Sequence, residues 1–270
     1  MRHWQINPEI VGRSSSLRRA VIQAIDAVEQ GCHLLIEGEA GSGRRLLARS
    51  AWARCTPQDR SLLTVDCQMF GNAAVEALLF GGPSAPRGIH GEELLQIPLT
   101  GGLLLLRGEA MLRNTQLRLA AALRAASQRP PHARLQIVMT CEPLPDACDT
   151  IDRALANNMV RVCVPALRDR SDDIPAIVES FLHNVSPYER MRCSHALMER
   201  FRTYSWPGNV TELRTVLRRL MMQPHSGILD VRHLANMTLC DESCFALLHG
   251  MTPASGTAPM IDVPLNRSLQ

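Results

Sequence analysis

The chain has 270 residues, 46% of them hydrophobic, which is enough to bury a large core and suits one large unit plus a smaller one. Its net charge is +3 and aromatic residues make up 4%, so bulk charge argues for neither a nucleic-acid nor a membrane surface. No run of about 20 apolar residues occurs and the N-terminus lacks a signal-peptide core, which predicts a soluble, cytoplasmic protein without a membrane partner.

All 29 basic residues are arginine. The nine cysteines, at 32, 55, 67, 141, 148, 163, 193, 240 and 244, include no CxxC pair, so neither a zinc site nor a disulfide framework is expected. Cys240, Cys244, Asp241, His233 and His249 have metal-ligand chemistry, but thiols in a reducing compartment are the plainer reading, and no metal site is predicted.

In chain order, Leu17, Ala20, Val21, Ala24, Ile25 and Val28 fall at helical spacing behind Ser14 or Ser15 as N-cap. A buried strand follows at Leu34–Ile36, a helix at Leu46–Cys55, a strand at Leu62–Val65 ending in Asp66-Cys67, and a short helix at Ala73–Phe80. Residues 81–91 (GGPSAPRGIHG) read as a loop. A strand at Leu103–Leu106, an amphipathic helix at Asn114–Ser127 and strands at Leu135–Thr140 and Val160–Val164 complete the alternation. Apolar strands alternating with helices predict a mainly parallel sheet covered on both faces, with ligands at the strands' carboxyl ends. Past Pro165 the periods at Ile174–His183, His195–Tyr204, Gly208–Met222 and Asp230–Met237 are helical, with no strand expected between them. The expected division is residues 1–165 as an α/β nucleotide-binding unit, 166–240 as a helical lid, and 241–270 as a disordered tail rich in Pro, Ser, Thr and Gly.

The segment His33–Arg45, HLLIEGEAGSGRR, runs strand, glycine loop, helix. That order cradles phosphate, because glycines let consecutive backbone N–H groups turn inward and the helix offers its positive end. Gly38 and Gly43 fit the spacing G-x-x-x-x-G-K-[ST], but Arg44 stands at the lysine position and Arg45 at the hydroxyl that holds Mg²⁺. Arginine keeps the charge on a longer planar fork, so the exchange is not conservative.

Three stretches carry a family resemblance: Ile10–Ser14 (IVGRS) with the glycine loop, Val164–Phe181 (VPALRDRSDDIPAIVESF, beside LPPLRERxxDIPxLxxxF), and Trp206–Leu213 (WPGNVTEL, beside WPGNVREL). Over roughly residues 10–237 the chain resembles the AAA+ central domain of the sigma-54-dependent transcription activators, also called bacterial enhancer-binding proteins. The resemblance implies a P-loop AAA+ parallel-sheet sandwich followed by a small helical lid.

The departures from that family fall on its catalytic positions. The paired acids that end its second strand motif, holding Mg²⁺ and polarising water, align with Arg107 and Gly108, and Glu109 lies one residue beyond. Its Thr-Asn sensor aligns with Thr140-Cys141. Its two arginine fingers align with Thr150 and Ala156; Arg153 is the neighbouring candidate, its plainer reading a solvent-facing helix residue. The lid's sensor arginine aligns with Thr211, with Arg214 one helical turn on. Loss of an arginine-finger contact alone typically costs on the order of 10³-fold in rate. The family's GAFTGA loop, which pushes on sigma-54, has no counterpart in the sequence after Leu79-Phe80-Gly81, so sigma-54 contact is not expected, and neither is a DNA-binding domain within this chain.

The predicted nucleotide-binding residues are therefore Gly38, Glu39, Ala40, Gly41, Ser42, Gly43, Arg44, Arg45 and Arg214. Glu109 and Arg153 are the candidates for any residual catalysis. ATP or ADP is the expected ligand, with Mg²⁺ doubtful. The favoured function is a degenerate AAA+ protein in transcriptional regulation, assembling as a homo- or hetero-oligomer with an intact activator. The alternatives are an active ATPase that uses the displaced residues and a truncated remnant without selected activity.

Overall fold

The apolar segments expected as strands pair in one parallel sheet. The computed structural model describes residues 10–55, 62–80, 101–126, 135–143, 151–186 and 191–237. Strands β1 (Leu34–Glu37), β2 (Leu62–Asp66), β3 (Gly102–Leu106), β4 (Gln136–Cys141) and β5 (Val160–Cys163) lie in the order β2-β3-β4-β1-β5. Register sets Met139 between Leu35 and Leu105, and Val138 between Leu34 and Leu104.

Because side chains alternate along a strand, those two rows face opposite ways. Leu35, Leu103, Leu105, Ile137 and Met139 pack under α3 (Cys67–Phe80), α4 (Arg113–Ala126) and the short α5 (Arg153–Ala156). Leu34, Ile36, Leu104, Leu106 and Val138 pack under α1 (Ser15–Glu29) and α2 (Arg44–Cys55). The central strands β1, β3 and β4 are buried on both faces, and the sheet's carboxyl ends meet the glycine loop between β1 and α2.

Beyond β5, a 3₁₀ segment over Leu167–Asp173, broken at Arg170, leads into α6 (Ile174–Val185). Helices α7 (His195–Thr203), α8 (Asn209–Met221) and α9 (Val231–Met237) complete the second core. Its centre is the fully buried Trp206, edge-on to Phe201 and Tyr204 at centroid distances of 5.6 and 5.0 Å. The indole N–H donates to the Phe201 carbonyl at 2.7 Å, satisfying the one polar atom of that side chain.

Several local expectations are corrected. The lid contains strands after all: β6 (Arg192–Cys193) and β7 (Ile228–Leu229) pair in parallel, each too short for alternation to register in sequence. Helix α3 starts at Cys67, well before Ala73, because the Asp66 carboxylate accepts the N–H groups of Gln68 and Met69 at 3.2 and 3.3 Å; Gly71 then breaks the helical path. Ser14 precedes α1, but its hydroxyl does not cap the helix and donates to Asp173 instead. Helix α5, for which the sequence sets no bounds beyond the reading of Arg153 as a solvent-facing helix residue, is started by Asp152, whose carboxylate accepts from the Ala154 N–H at 2.8 Å. The expected loop 81–91, Thr150, Cys240, Asp241, Cys244, His249 and the tail 241–270 lie outside the described residues. Among the described residues no group of three His, Cys, Asp or Glu could hold a metal ion, and no helix is long and apolar enough to cross a membrane.

Candidate functional site

Past Glu37 the loop turns through Gly41 (φ 73°) and Gly43 (φ 109°), left-handed conformations that glycine adopts without a Cβ clash. Helix α2 begins at Arg44, so the unsatisfied N–H groups of its first turn face the space above β1. That space is a cleft of about 590 Å³, within the range of small-molecule sites. Of the predicted binding residues, Gly41, Ser42, Gly43, Arg44, Arg45 and Arg214 line it; Gly38, Glu39 and Ala40 do not, nor do Glu109 and Arg153. Arg49, Arg107, Arg170 and Thr211 also line it, and Asp66 is the one carboxylate among the described lining residues.

The strand ends explain what became of the acidic site. Arg107 follows β3 in a left-handed conformation (φ 55°), and its guanidinium lies on the Asp66 carboxylate at the end of β2, with Nε at 2.9 Å from Oδ1 and Nη2 at 2.5 Å from Oδ2. Nη1 of Arg107 donates to Gln68. Burial works to raise the Asp66 carboxyl, but the Arg107 hydrogen bonds and the N–H groups of Met69 and Gln68 outweigh it and hold the carboxyl below its ordinary value. The backbone N–H of Arg107 donates to Thr140 Oγ1 at 3.3 Å, which fixes β3's end against β4.

Arg44 is similarly engaged. Its Nη2 donates to Glu142 Oε1, just past β4, at 2.5 Å, so the cation that replaces the lysine is held by a carboxylate of its own chain. Glu109 sits behind this pair, and one of its oxygens, Oε2, is buried without a partner. Burial, chiefly, raises its pKa, opposed by the nearby Arg44. Glu109 is half-buried and is not among the residues that line the cleft. Arg153 is exposed on α5, away from the cleft of its own chain.

The three motif stretches, far apart in sequence, meet around the loop. Asp173, 2% exposed, accepts from the Arg13 N–H (2.6 Å), the Ser14 N–H (2.9 Å) and the Ser14 hydroxyl (2.7 Å), tying IVGRS to the start of the lid. Arg170 donates from Nη2 to the Ser42 carbonyl at 2.7 Å. Asn209, fully buried, donates to the Ala40 carbonyl (2.9 Å) and Glu39 Oε2 (3.1 Å), while its own oxygen accepts the Leu167 N–H at 2.7 Å. Arg168 grips Glu39 with two hydrogen bonds, the Nη1 bond at 2.8 Å; those bonds, opposed by burial, hold the Glu39 carboxyl below its ordinary value. Glu39, predicted to serve nucleotide, therefore serves the lid. Arg170, Asp173 and Asn209 are not among the predicted site residues, and their place inside the DRSDDIP and WPGN motifs is the signal the sequence offers for them.

A Mg²⁺ ion of the kind the family implies requires hard oxygen donors in near-octahedral array. Here the candidate carboxylate, Asp66, is already bound to Arg107; Arg45 stands where a hydroxyl would be, and Glu109 does not line the cleft. The residues present do not fit the metal.

Two family matches frame the same architecture: the sigma-54 interaction domain over residues 10–87 and the AAA+ ATPase lid domain over residues 168–243. The chain is of the sigma-54-activator AAA+ type. Relatives of this AAA+ chain include the acetoin catabolism regulatory protein of Cupriavidus necator, 28% identical over 83% of this chain and 36% of the relative. The transcriptional regulatory protein GlrR of Escherichia coli K12 is 25% identical over 82% of this chain and 54% of the relative. The sigma54-dependent transcriptional regulator SfnR of Pseudomonas fluorescens is 28% identical over 73% and 58%. The chain thus spans between about a third and somewhat more than half of these regulators. Among solved structures, NtrX from Brucella abortus in complex with ADP superposes with a TM-score of 0.68 at 23% identity, covering 83% of this chain and 54% of NtrX, which shows the shared fold. NtrX has also been solved with ATP.

Proposed function

We propose that this AAA+ chain retains the scaffold of a sigma-54-type activator without its hydrolytic cycle, and acts in transcriptional regulation by assembling with other regulators of its type, binding nucleotide at most. The observation that carries the reading is the Arg107 guanidinium seated on Asp66 at the strand end where the family places its acids. A guanidinium stays protonated at any physiological pH, so it neither coordinates a metal nor accepts a proton from water. Arg44, which lines the cleft but is ion-paired with Glu142, and the half-buried Glu109, which is not among the cleft's lining residues, support the same reading. ADP and ATP in the NtrX structures support nucleotide as the ligand. The absence of a GAFTGA sequence after Phe80 favours action through another regulator over a direct push on sigma-54.

The test is size-exclusion chromatography of the purified chain, alone and mixed with a full-length intact activator in the presence of ADP. Co-elution with the activator is the expected result. Separate elution at every ratio tried would overturn the assembly reading.

A further inference from the structure

Among the described residues six guanidiniums, those of Arg44, Arg45, Arg49, Arg107, Arg170 and Arg214, line the cleft against a single carboxylate that is itself paired. Three polar atoms around the loop are buried and unpaired: Arg44 Nη1, Arg170 Nε and Ser42 Oγ. Arg170 is 5% exposed and Ser42 2%, so these donors are held out of water beside the first turn of α2. Buried donors without acceptors are costly unless something fills the site. Guanidinium N–H groups in such an array suit phosphate oxygens, which they bind in forked pairs. The lining also includes the apolar Ile10, Val11, Leu17, Ile177 and Val210, which offer a surface for a base.

We propose that the cleft binds a nucleoside polyphosphate in its metal-free form, and that divalent cations antagonise this binding. The proposal deepens the nucleotide-binding part of the function proposed above. Fixed guanidiniums supply the positive charge that Mg²⁺ supplies in an intact site. A polyphosphate that carries Mg²⁺ has less charge to offer them and sets a hydrated dication against Arg107 and Arg45, with no free carboxylate to hold it. By linkage, a cation that binds the free ligand but not the complex must weaken the complex.

The experiment is calorimetric titration of the full chain with ADP, ATP and inorganic tripolyphosphate, each in EDTA and in millimolar Mg²⁺. ADP and ATP should bind in EDTA, and Mg²⁺ should weaken them by about threefold or more. Tripolyphosphate should bind more weakly than ATP because it leaves the apolar lining empty. Arg45→Ser, at an exposed position, should weaken metal-free ATP binding by about fivefold and reduce the Mg²⁺ effect. Tightening by Mg²⁺, or no binding in EDTA, would overturn the proposal; tripolyphosphate binding as tightly as ATP would overturn its nucleoside part. Mg²⁺-strengthened binding without hydrolysis would refute this proposal alone, whereas phosphate release would refute the non-hydrolytic reading.

Discussion

Arg107 shows how one residue changes the chemistry of a strand end. Its left-handed backbone costs on the order of 1 kcal/mol for a non-glycine residue, and the guanidinium it aims at Asp66 pins β2 to β3 while closing the position where an acid would meet a metal. Glu109, two residues beyond, is half-buried. Its carboxyl is raised above 4.5, chiefly by burial, so the folded state holds its proton to higher pH than the unfolded state does. The resulting destabilisation is absent below the unfolded value and grows as pH rises through the window between the two. Glu109→Gln is therefore expected to stabilise the chain near pH 7 by about 1 kcal/mol, roughly 2–4 °C in Tm. Thermal melts should show the gain shrinking as pH falls toward 4.5, the ordinary value; equal Tm differences at both pH values would contradict the assignment. Arg44, Arg45 and Arg107 were legible in sequence because motif spacing fixes their seats. Their partners Glu142 and Asp66 were not, because each pair joins residues of different elements, 98 and 41 positions apart in sequence.

At the scale of elements, the phosphate loop is held by the lid as much as by the sheet. A Cβ on Gly41 would lie 2.2 Å from the Gly208 carbonyl, so the loop and the start of α8 are in close contact. Asn209 ties them together in a left-handed conformation (φ 52°) that asparagine tolerates better than most residues. Asn209→Ala removes the donors to Ala40 and Glu39 and leaves the buried Leu167 N–H unpaired. The expected cost is about 2–4 kcal/mol, read by urea unfolding, with lid and sheet probes losing their coincidence if docking fails before the cores melt. A loss below about 0.5 kcal/mol, typical of an inert surface change, would contradict this role. The five strands of the main sheet, of which β1, β3 and β4 are buried and the edge strands β2 and β5 largely are not, were legible as short, mainly apolar runs. Helix α5 and the β6–β7 pair were not, because four-residue and two-residue elements carry no period and depend on partners elsewhere in the fold.

Across the whole molecule, IVGRS, the DRSDDIP segment and WPGN converge on one loop, which is why those stretches could announce the architecture before any contact was known. The scaffold contacts remain: Asp173 on Ser14, Arg170 on Ser42, Asn209 on Ala40. Arg44 and Arg107, at the positions that align with the family's lysine and first acid, are each ion-paired within the chain, with Glu142 and Asp66. The most direct test is phosphate release from ATP and Mg²⁺ by the purified chain. The expected result is a rate no greater than that of a protein-free control, unchanged by Glu109→Gln; measurable turnover that disappears in Glu109→Gln would contradict it.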